Sequence, residues 1–371
     1  MPWPCGAADY VAGLAERLAA RGMRVVVATS NPRATRPKSA GFGIEAVPGN
    51  WGFQHQRRIW RAIQAAAVDV VDFQYEASMY GGSPVALAFP YLAPRSRPAT
   101  VLTMHSAILP RRLGRLARVL QFNGYDAVTF YSDALANTAK RRFPRRADRY
   151  FVRGFPPNIT DIVSPPVKAL LAKIKIGLLH EAPLAVYFGH IGPDRGIEDL
   201  LHAAQAVQER GVQLHWVLLS QFRPQEVDYH RSLFETIPAL GLASVVSCPG
   251  ELDASTISTL LAATDFAVLP FPDGASLKNG SLAAMLEHGV PTITTSTSLT
   301  EPALLASGAL LTYQPGDVEA LTAKIEKLAL DADFRRELRD RTRGLGDLVA
   351  WDGYLDARLA VYDRALGVHP H

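Results

Sequence analysis

Short runs of apolar and β-branched residues recur along the chain, separated by stretches whose apolar residues repeat at helical spacing. In the first half the runs are residues 23–30, 43–47, 69–74, 100–105 and 127–131. In the second they are 184–189, 213–220, 244–248, 265–270, 291–295 and 309–313. Strands with no polar alternation, each followed by an amphipathic helix, predict parallel sheets wrapped by helices on both faces. The fold class is therefore α/β. One stretch breaks the alternation: residues 156–166 hold four prolines and begin a linker between two such domains.

The resulting division places a first domain at 1–155, a linker region at 156–183 and a second domain at 184–350. A last segment, 351–371, carries Leu355, Leu359, Tyr362 and Leu366 near a helical period. It is expected to be a helix that packs back on the first domain. The beginning is unusual. Pro4-Cys5-Gly6-Ala7-Ala8-Asp9 is followed by a helix whose apolar residues are Val11, Leu14, Leu18 and, in part, Met23, and a glycine turn before a helix ordinarily follows a buried strand. Met1-Pro2-Trp3-Pro4 is too short and proline-rich to be one. Either the reading frame starts further upstream or this domain lacks its first strand.

At 371 residues the chain exceeds one ordinary core, and two domains are the natural division. Its 48% hydrophobic and 20% charged residues are those of a globular protein, with no repeat and no low-complexity tail. The net charge of +4 is small. No basic helix with interleaved aromatics argues for nucleic acid. The pairs Arg57-Arg58, Arg111-Arg112, Arg141-Arg142 and Arg145-Arg146 read as solvated helix faces or as steering groups for a membrane or acceptor. Cys5 and Cys248 give neither a disulfide framework nor a metal spacing, which suits a reducing cytoplasm. No apolar run reaches the ~20 residues of a spanning helix, and no signal peptide is evident. The expected location is cytoplasmic, with a peripheral place at the inner membrane face left open.

Two βα turns carry the candidate chemistry. In the first, a strand ending at Gly189 leads through His190-Ile191-Gly192-Pro193-Asp194-Arg195 to a helix opening at Gly196. Ile197, Leu200, Leu201, Ala204 and Val207 lie on one face, and Gly211 ends it. Arg195 then stands at the mouth of a βα loop, where open parallel sheets bind ligands, and a bidentate guanidinium suits a phosphate. In the second, a strand ending at Leu269 leads through Asp273, Lys278, Asn279 and Gly280 to a helix opening near Ser281 and closing at Gly289. A cation beside free helix N–H groups is a phosphate seat. Asp273, costly to place beside a phosphate without another use, is suited to holding sugar hydroxyls. Together they suggest a sugar nucleotide.

The motifs, in order and spacing, resemble the retaining GT-B-fold glycosyltransferases of family 4, also called group 1. That family has a strand–G-R-L-x-x-x-K-G–helix element, matched by residues 189–196, and a strand–P-x-x-x-E-G loop, helix and G-x-P, matched by Pro270, Asp273-Gly274, Gly289 and Pro291. Its first glycine loop is similar to residues 6–15, and its strand-end T-x-H is similar to Thr103-Met104-His105. The resemblance implies two Rossmann-like domains facing across a cleft. It implies transfer of a hexose-type sugar from a nucleotide-sugar donor, with retention, and without a metal or other cofactor. Arg195, Lys278 and the backbone N–H groups of Gly280, Ser281 and Leu282 would hold the donor diphosphate, with Asn279 and His190 beside them. Asp273 and His105 would face the donor sugar, and Gly6 and Ala7 would let a first-domain loop approach it. The catalytic candidates are Asp273, His105 and Arg195.

Two departures qualify the likeness. The family's first-loop arginine is His190 here, and its second glutamate, which binds ribose, is Ser281. A bacterial branch with the loop D-G-x-S-x-[RK]-x-G-[ST]-L fits residues 273–282 and makes the second departure a subfamily trait. The acceptor implied is a carbohydrate, a lipid-linked sugar or a small molecule. The rivals are a sugar-nucleotide epimerase of the same shape, a dinucleotide oxidoreductase and a non-catalytic sugar-nucleotide-binding protein. The oxidoreductase lacks a G-x-G-x-x-G after a strand.

Overall fold

In a computed structural model, residues 6–29, 41–46, 52–76, 80, 88–94, 96–105, 122–160, 182–298 and 300–367 are described. The chain divides into one unit of residues 1–155 with 351–371 and a second of residues 156–350. Cys5, Arg111, Arg112 and most of the linker region lie outside the described residues.

In the second unit six described runs pair as one parallel sheet: β7 (Leu184–Phe188), β8 (His215–Leu219), β9 (Val246–Ser247), β10 (Phe266–Leu269), β11 (Thr292–Thr295) and β12 (Leu310–Tyr313). Their order is β12-β11-β10-β7-β8-β9, which is the doubly wound order with its reversal between β7 and β10. The helices α4 (Ile197–Glu209), α5 (Asp228–Ala239), α6 (Ala254–Ala262), α7 (Gly280–Glu287), α8 (Pro302–Ala306), α9 (Val318–Leu330) and α10 (Ala332–Arg343) complete it. The face of α4 expected from its periodicity is the buried one, Ile197, Leu200, Leu201, Ala204 and Val207 all being in the core.

The first unit holds α1 (Gly6–Ala20), α2 (Gln56–Ala66) and α3 (Asp133–Arg142). It has two parallel sheets. One pairs β1 (Val26–Thr29) with β2 (Gly43–Ala46); the other orders β3 (Val70–Tyr75), β4 (Ala99–Met104), β5 (Ala127–Phe130) and β6 (Tyr150–Val152). Among the described residues β1 and β3 each leave one edge without a hydrogen-bonded neighbour, and α1 opens at the first of these residues. In the second unit the equivalent place, mid-sheet and feeding the first helix, is held by β7. The expectation of α/β parallel sheets in two domains holds.

The last helix, α11 (Trp351–Leu366), packs on β3, β4 and β5 of the first unit. Leu355, Leu359 and Tyr362 of the expected stripe pack on the first unit, and Leu366 does not. Trp351, Tyr354, Leu355, Arg358 and Val361 are buried, whereas Leu366 is 45% exposed. Arg358 lies on the buried face because it meets acceptors on the sheet, Thr103 and Thr129. Strand β6 was also not expected. It is three residues long, too short for a periodic signal, and forms because Tyr150 pairs with Val128 and Val152 with Phe130.

Candidate active site

Open parallel sheets bind ligands beyond their carboxyl ends where the strand order reverses. Here that point lies between β7 and β10, so the loops following these strands must meet. They do so through two glycines. A Cβ on Gly189 would stand 3.1 Å from Ser281 Oγ at the start of α7. A Cβ on Gly196 would stand 2.2 Å from the Pro270 carbonyl oxygen, and Gly196 has φ +67, so only glycine fits there. The first loop is further fixed by the buried Tyr187, whose hydroxyl donates to the His190 carbonyl at 2.7 Å. His230 braces it from below, its Nδ1 accepting from the Arg223 N–H at 3.0 Å and its Nε2 meeting the Ile191 carbonyl at 3.3 Å.

Arg195 follows the turn closed by its own N–H on the Gly192 carbonyl. Its side chain is 37% exposed, and its nearest carboxylate, Asp194, is 3.6 Å away and itself 73% exposed. The Nε is shielded from solvent yet has no hydrogen-bond partner among the described residues. A guanidinium so loosely held is available to a ligand anion. Burial pushes the His190 imidazole below its ordinary pKa of 6.5; Arg195 and His230 push the same way, and Asp194 opposes them. His190 is therefore neutral near pH 7.

The second loop is built around a buried carboxylate. Glu301, only 6% exposed, accepts from Ser276 Oγ at 3.2 Å and from the Leu277 N–H at 3.3 Å. The Ser276 N–H donates to Asn279 Oδ1 at 2.8 Å, and the Asn279 N–H returns to the Ser276 carbonyl at 2.9 Å. These bonds hold residues 276–279 in a closed turn that presents Lys278 next to the start of α7. Asn279 thus spends its amide oxygen inside the loop. Gly274, at φ +88, comes so near Thr297 and Thr300 that a Cβ would lie 2.6 and 2.8 Å from their hydroxyls. Beside it, Asp273 is exposed and its carbonyl accepts from Thr297 Oγ1 at 2.8 Å.

The first intrahelical bond of α7 runs from the Ala283 N–H to the Asn279 carbonyl at 3.0 Å. The N–H groups of Gly280, Ser281 and Leu282 precede it, and no partner for them occurs among the described residues. The Leu282 side chain is in the core, so that residue offers only its backbone. The structure therefore gathers His190, Arg195, Lys278, Asn279, Gly280, Ser281 and Leu282 at one edge of the second unit. Glu301 was not foreseen. Its signal was slight: an acid directly before Pro302, which opens α8.

In the first unit Gly6 and Ala7 lie in the first turn of α1, not in a loop ahead of it. Ala7, Ala8 and an early acid, Asp9, favour helix from the outset. His105 closes β4, its Nε2 bonded to Gln74 Oε1 at 2.8 Å. Its ring stacks on Phe155 at 4.5 Å and meets the edge of Tyr10 from α1 at 5.2 Å. Burial, with the Arg358 charge adding to it, pulls the His105 pKa down to about 3. It is a neutral hydrogen-bonding group, not an acid. With Gln74 accepting from Nε2–H, Nδ1 is left to accept.

Among the described residues no group of three or more His, Cys, Asp or Glu side chains is arranged to hold a metal ion. Cys248 is half-buried, and burial pushes its thiol up to about 11, away from reactivity. Glu251 accepts from Gln221 at 3.3 Å on an exposed loop.

The family model for Glycosyltransferase Family 4 matches residues 4–152, and that for Glycosyl transferases group 1 matches residues 182–331. No match is found among curated proteins. Among solved structures, sucrose-phosphate synthase from Thermosynechococcus elongatus is 18% identical with a TM-score of 0.74, over 98% of this chain and 94% of that one. A glycosyltransferase from Rickettsia africae is 14% identical with a TM-score of 0.78, over 97% and 94%. Anabaena HepE, solved with UDP and glucose, is 17% identical with a TM-score of 0.73, over 96% and 95%. These likenesses are of fold, and the fold they share is GT-B. With both of its halves matched by the family models, the chain belongs to the group 1 glycosyltransferases and is an enzyme of that family.

Proposed function

We propose that the enzyme moves a hexose-type sugar from a nucleotide-sugar donor to a carbohydrate, lipid-linked or small-molecule acceptor. The reaction retains anomeric configuration and uses no metal or other cofactor. One observation carries this reading: the loops after β7 and β10 meet at the sheet's reversal, and between them they carry a loosely held arginine and an open helix start. Arg195, Lys278 and the N–H groups of Gly280, Ser281 and Leu282 hold the donor diphosphate. Negative charge grows there as the glycosidic bond breaks, and fixed positive groups lower that barrier. Asp273 accepts from donor-sugar hydroxyls. From the first unit, His105 is a neutral hydrogen-bonding partner for a substrate hydroxyl. A UDP-sugar is a natural first candidate, since HepE, of the same fold, was solved with UDP and glucose. The partners are this donor, the acceptor and a membrane surface, with nucleic acid not among them. The location proposed is the cytoplasm, at the inner membrane face; among the described residues no helix is long and apolar enough to cross a membrane.

Melting-temperature shifts against UDP-, GDP-, ADP- and dTDP-sugars identify the donor, because a ligand of the folded state raises the melting point. With that donor, Asp273→Ala is expected to lower turnover roughly tenfold to a hundredfold while nucleotide affinity stays within about threefold. An equal loss of both places Asp273 elsewhere. Sugar release at one rate with and without acceptors overturns the transferase reading.

His190 makes the pH dependence of donor affinity a second test. Its pKa is below 6.5 in the free protein, and a bound diphosphate raises it, so binding takes up protons. Affinity is therefore expected to rise as pH falls below about 6.5, where a sugar diphosphate itself does not titrate. Calorimetry at successive pH values should show this rise, and His190→Asn should flatten it. A wild-type affinity that falls over the same range would remove His190 from the phosphate contact.

A further inference from the structure

The residues 140–149 carry six basic side chains and one acidic one, on a chain whose whole net charge is only +4. They form the last turn of α3, with Lys140, Arg141 and Arg142, and the 3-10 helix Pro144–Arg149 that follows it. The single acid, Asp148, is taken by Arg364 of α11. Arg142, Arg145, Arg146 and Arg149 have no carboxylate partner among the described residues. Lys140, Arg141 and Arg142 suit the carboxyl end of α3, but Arg145, Arg146 and Arg149 lie beyond it, and a cluster of like charges with its one acid neutralised elsewhere repels itself.

Apolar side chains stand beside this cluster. Tyr91 is 50% exposed and Leu92 is 37% exposed, both on the 3-10 helix Phe89–Leu92. Phe89 and Phe143 belong to one hydrophobic cluster, so the two short helices share a base. Arg146 is near enough to Tyr91 for its charge to act on the phenol. The position in the sheet is informative too. Phe89–Leu92 precedes β4 and Pro144–Arg149 runs directly into β6, so the patch belongs to the amino ends of these parallel strands. His105 is at the carboxyl end of β4, on the opposite edge. Occupying the patch leaves that edge clear.

Cations alone fit any polyanion. Cations beside an exposed aromatic and an exposed leucine fit an interface, where the apolar tips enter the headgroup region and the arginines meet phosphates. We propose that this patch docks the protein on an anionic phospholipid surface. Tyr91 and Leu92 insert at headgroup depth, and Arg142, Arg145, Arg146 and Arg149 engage lipid phosphates.

Sedimentation of the full chain with vesicles tests this. Vesicles of phosphatidylcholine with about one third phosphatidylglycerol should carry the protein down at low salt and release it as salt rises, and pure phosphatidylcholine vesicles should not. Arg142→Glu with Arg145→Glu is expected to weaken partition roughly tenfold or more. Tyr91→Ser with Leu92→Ser is expected to weaken it about threefold or more with the salt dependence unchanged. These positions are exposed, so melting temperatures confirm folding. Equal binding to both vesicle types, or wild-type partition by the charge-reversed variant, overturns the proposal. So does full displacement by polyuridylate together with wild-type partition of the Tyr91→Ser, Leu92→Ser variant, which would mark a nucleic-acid site.

Discussion

Arg195→Ala is expected to remove most of the thermal stabilisation given by the donor and to lower kcat/KM by a factor of roughly a hundred to a thousand. The argument is electrostatic. A sugar diphosphate gains charge as the bond to the sugar breaks, and the groups proposed to meet it are Arg195, Lys278 and the open N–H groups of α7. Of these, Arg195 alone offers a planar fork that binds two oxygens at once. Arg195→Lys should recover about a tenth of the activity, because the charge returns without the fork. The free enzyme should melt as the wild type does. Among the described residues Arg195 makes no short ion pair, Asp194 being 3.6 Å away and mostly exposed, so its removal strands no buried partner among them. Kinetics and melting with the identified donor decide the matter. Unchanged donor-induced stabilisation would disprove the site, whereas an unstable free enzyme would give Arg195 a structural role instead.

Much of this site could be read from local sequence, and the reason is its construction from βα turns. The strand 184–188, the glycines at 189 and 196 and the helix from Ile197 are consecutive, and hydrophobic period together with turn chemistry marks each one. What joins the two turns was not legible. Gly189 meets Ser281 and Gly196 meets Pro270 only because β7 and β10 become neighbours in the sheet. Glu301 acts on Ser276 and Leu277 from the far side of β11, and no short-range pattern reports such a contact. The same holds for β6, whose three residues become a strand only through β5. The family resemblance misplaced Gly6 and Ala7, because an Ala-rich run with an early acid extends a helix through residues that it assigns to a loop. Arg358 escaped for a different reason. A charged residue counts as polar in any periodicity, yet here it lies on the buried face of α11.

That burial makes Arg358→Met the substitution with the largest expected effect on stability. The Arg358 side chain is 1% exposed. Its Nη1 donates to Thr103 at 2.9 Å and Thr129 at 3.3 Å, its Nη2 to Tyr354 at 2.6 Å and Tyr10 at 3.1 Å, and Asp72 lies 3.5 Å away. Asp72 in turn accepts from Thr103 and Tyr362 at 2.7 Å each. One guanidinium thus ties α11 to β3, β4, β5 and α1. Removing it leaves the Asp72 carboxyl group, 14% exposed, without its cation, and breaking a buried pair in this way costs about 3–5 kcal/mol. Asp72→Asn combined with Arg358→Met should recover a substantial part, since the stranded charge is then gone. Hydrogen exchange of β3, β4 and β5 measures both, and a double variant no better than the single one would deny the pair its role. His105 supplies an independent readout. Its folded pKa of about 3 lies below the ordinary 6.5, so the unfolded chain binds the extra proton between these values. Stability therefore falls as pH drops through that window. Burial is the larger cause of the shift and Arg358 the second. In Arg358→Met the pKa should rise from about 3 yet stay below 6.5, and the acid-dependent loss should end at a correspondingly higher pH. Imidazole carbon shifts followed against pH would show this directly, and a His105 titration identical in both proteins would place the Arg358 charge out of its reach.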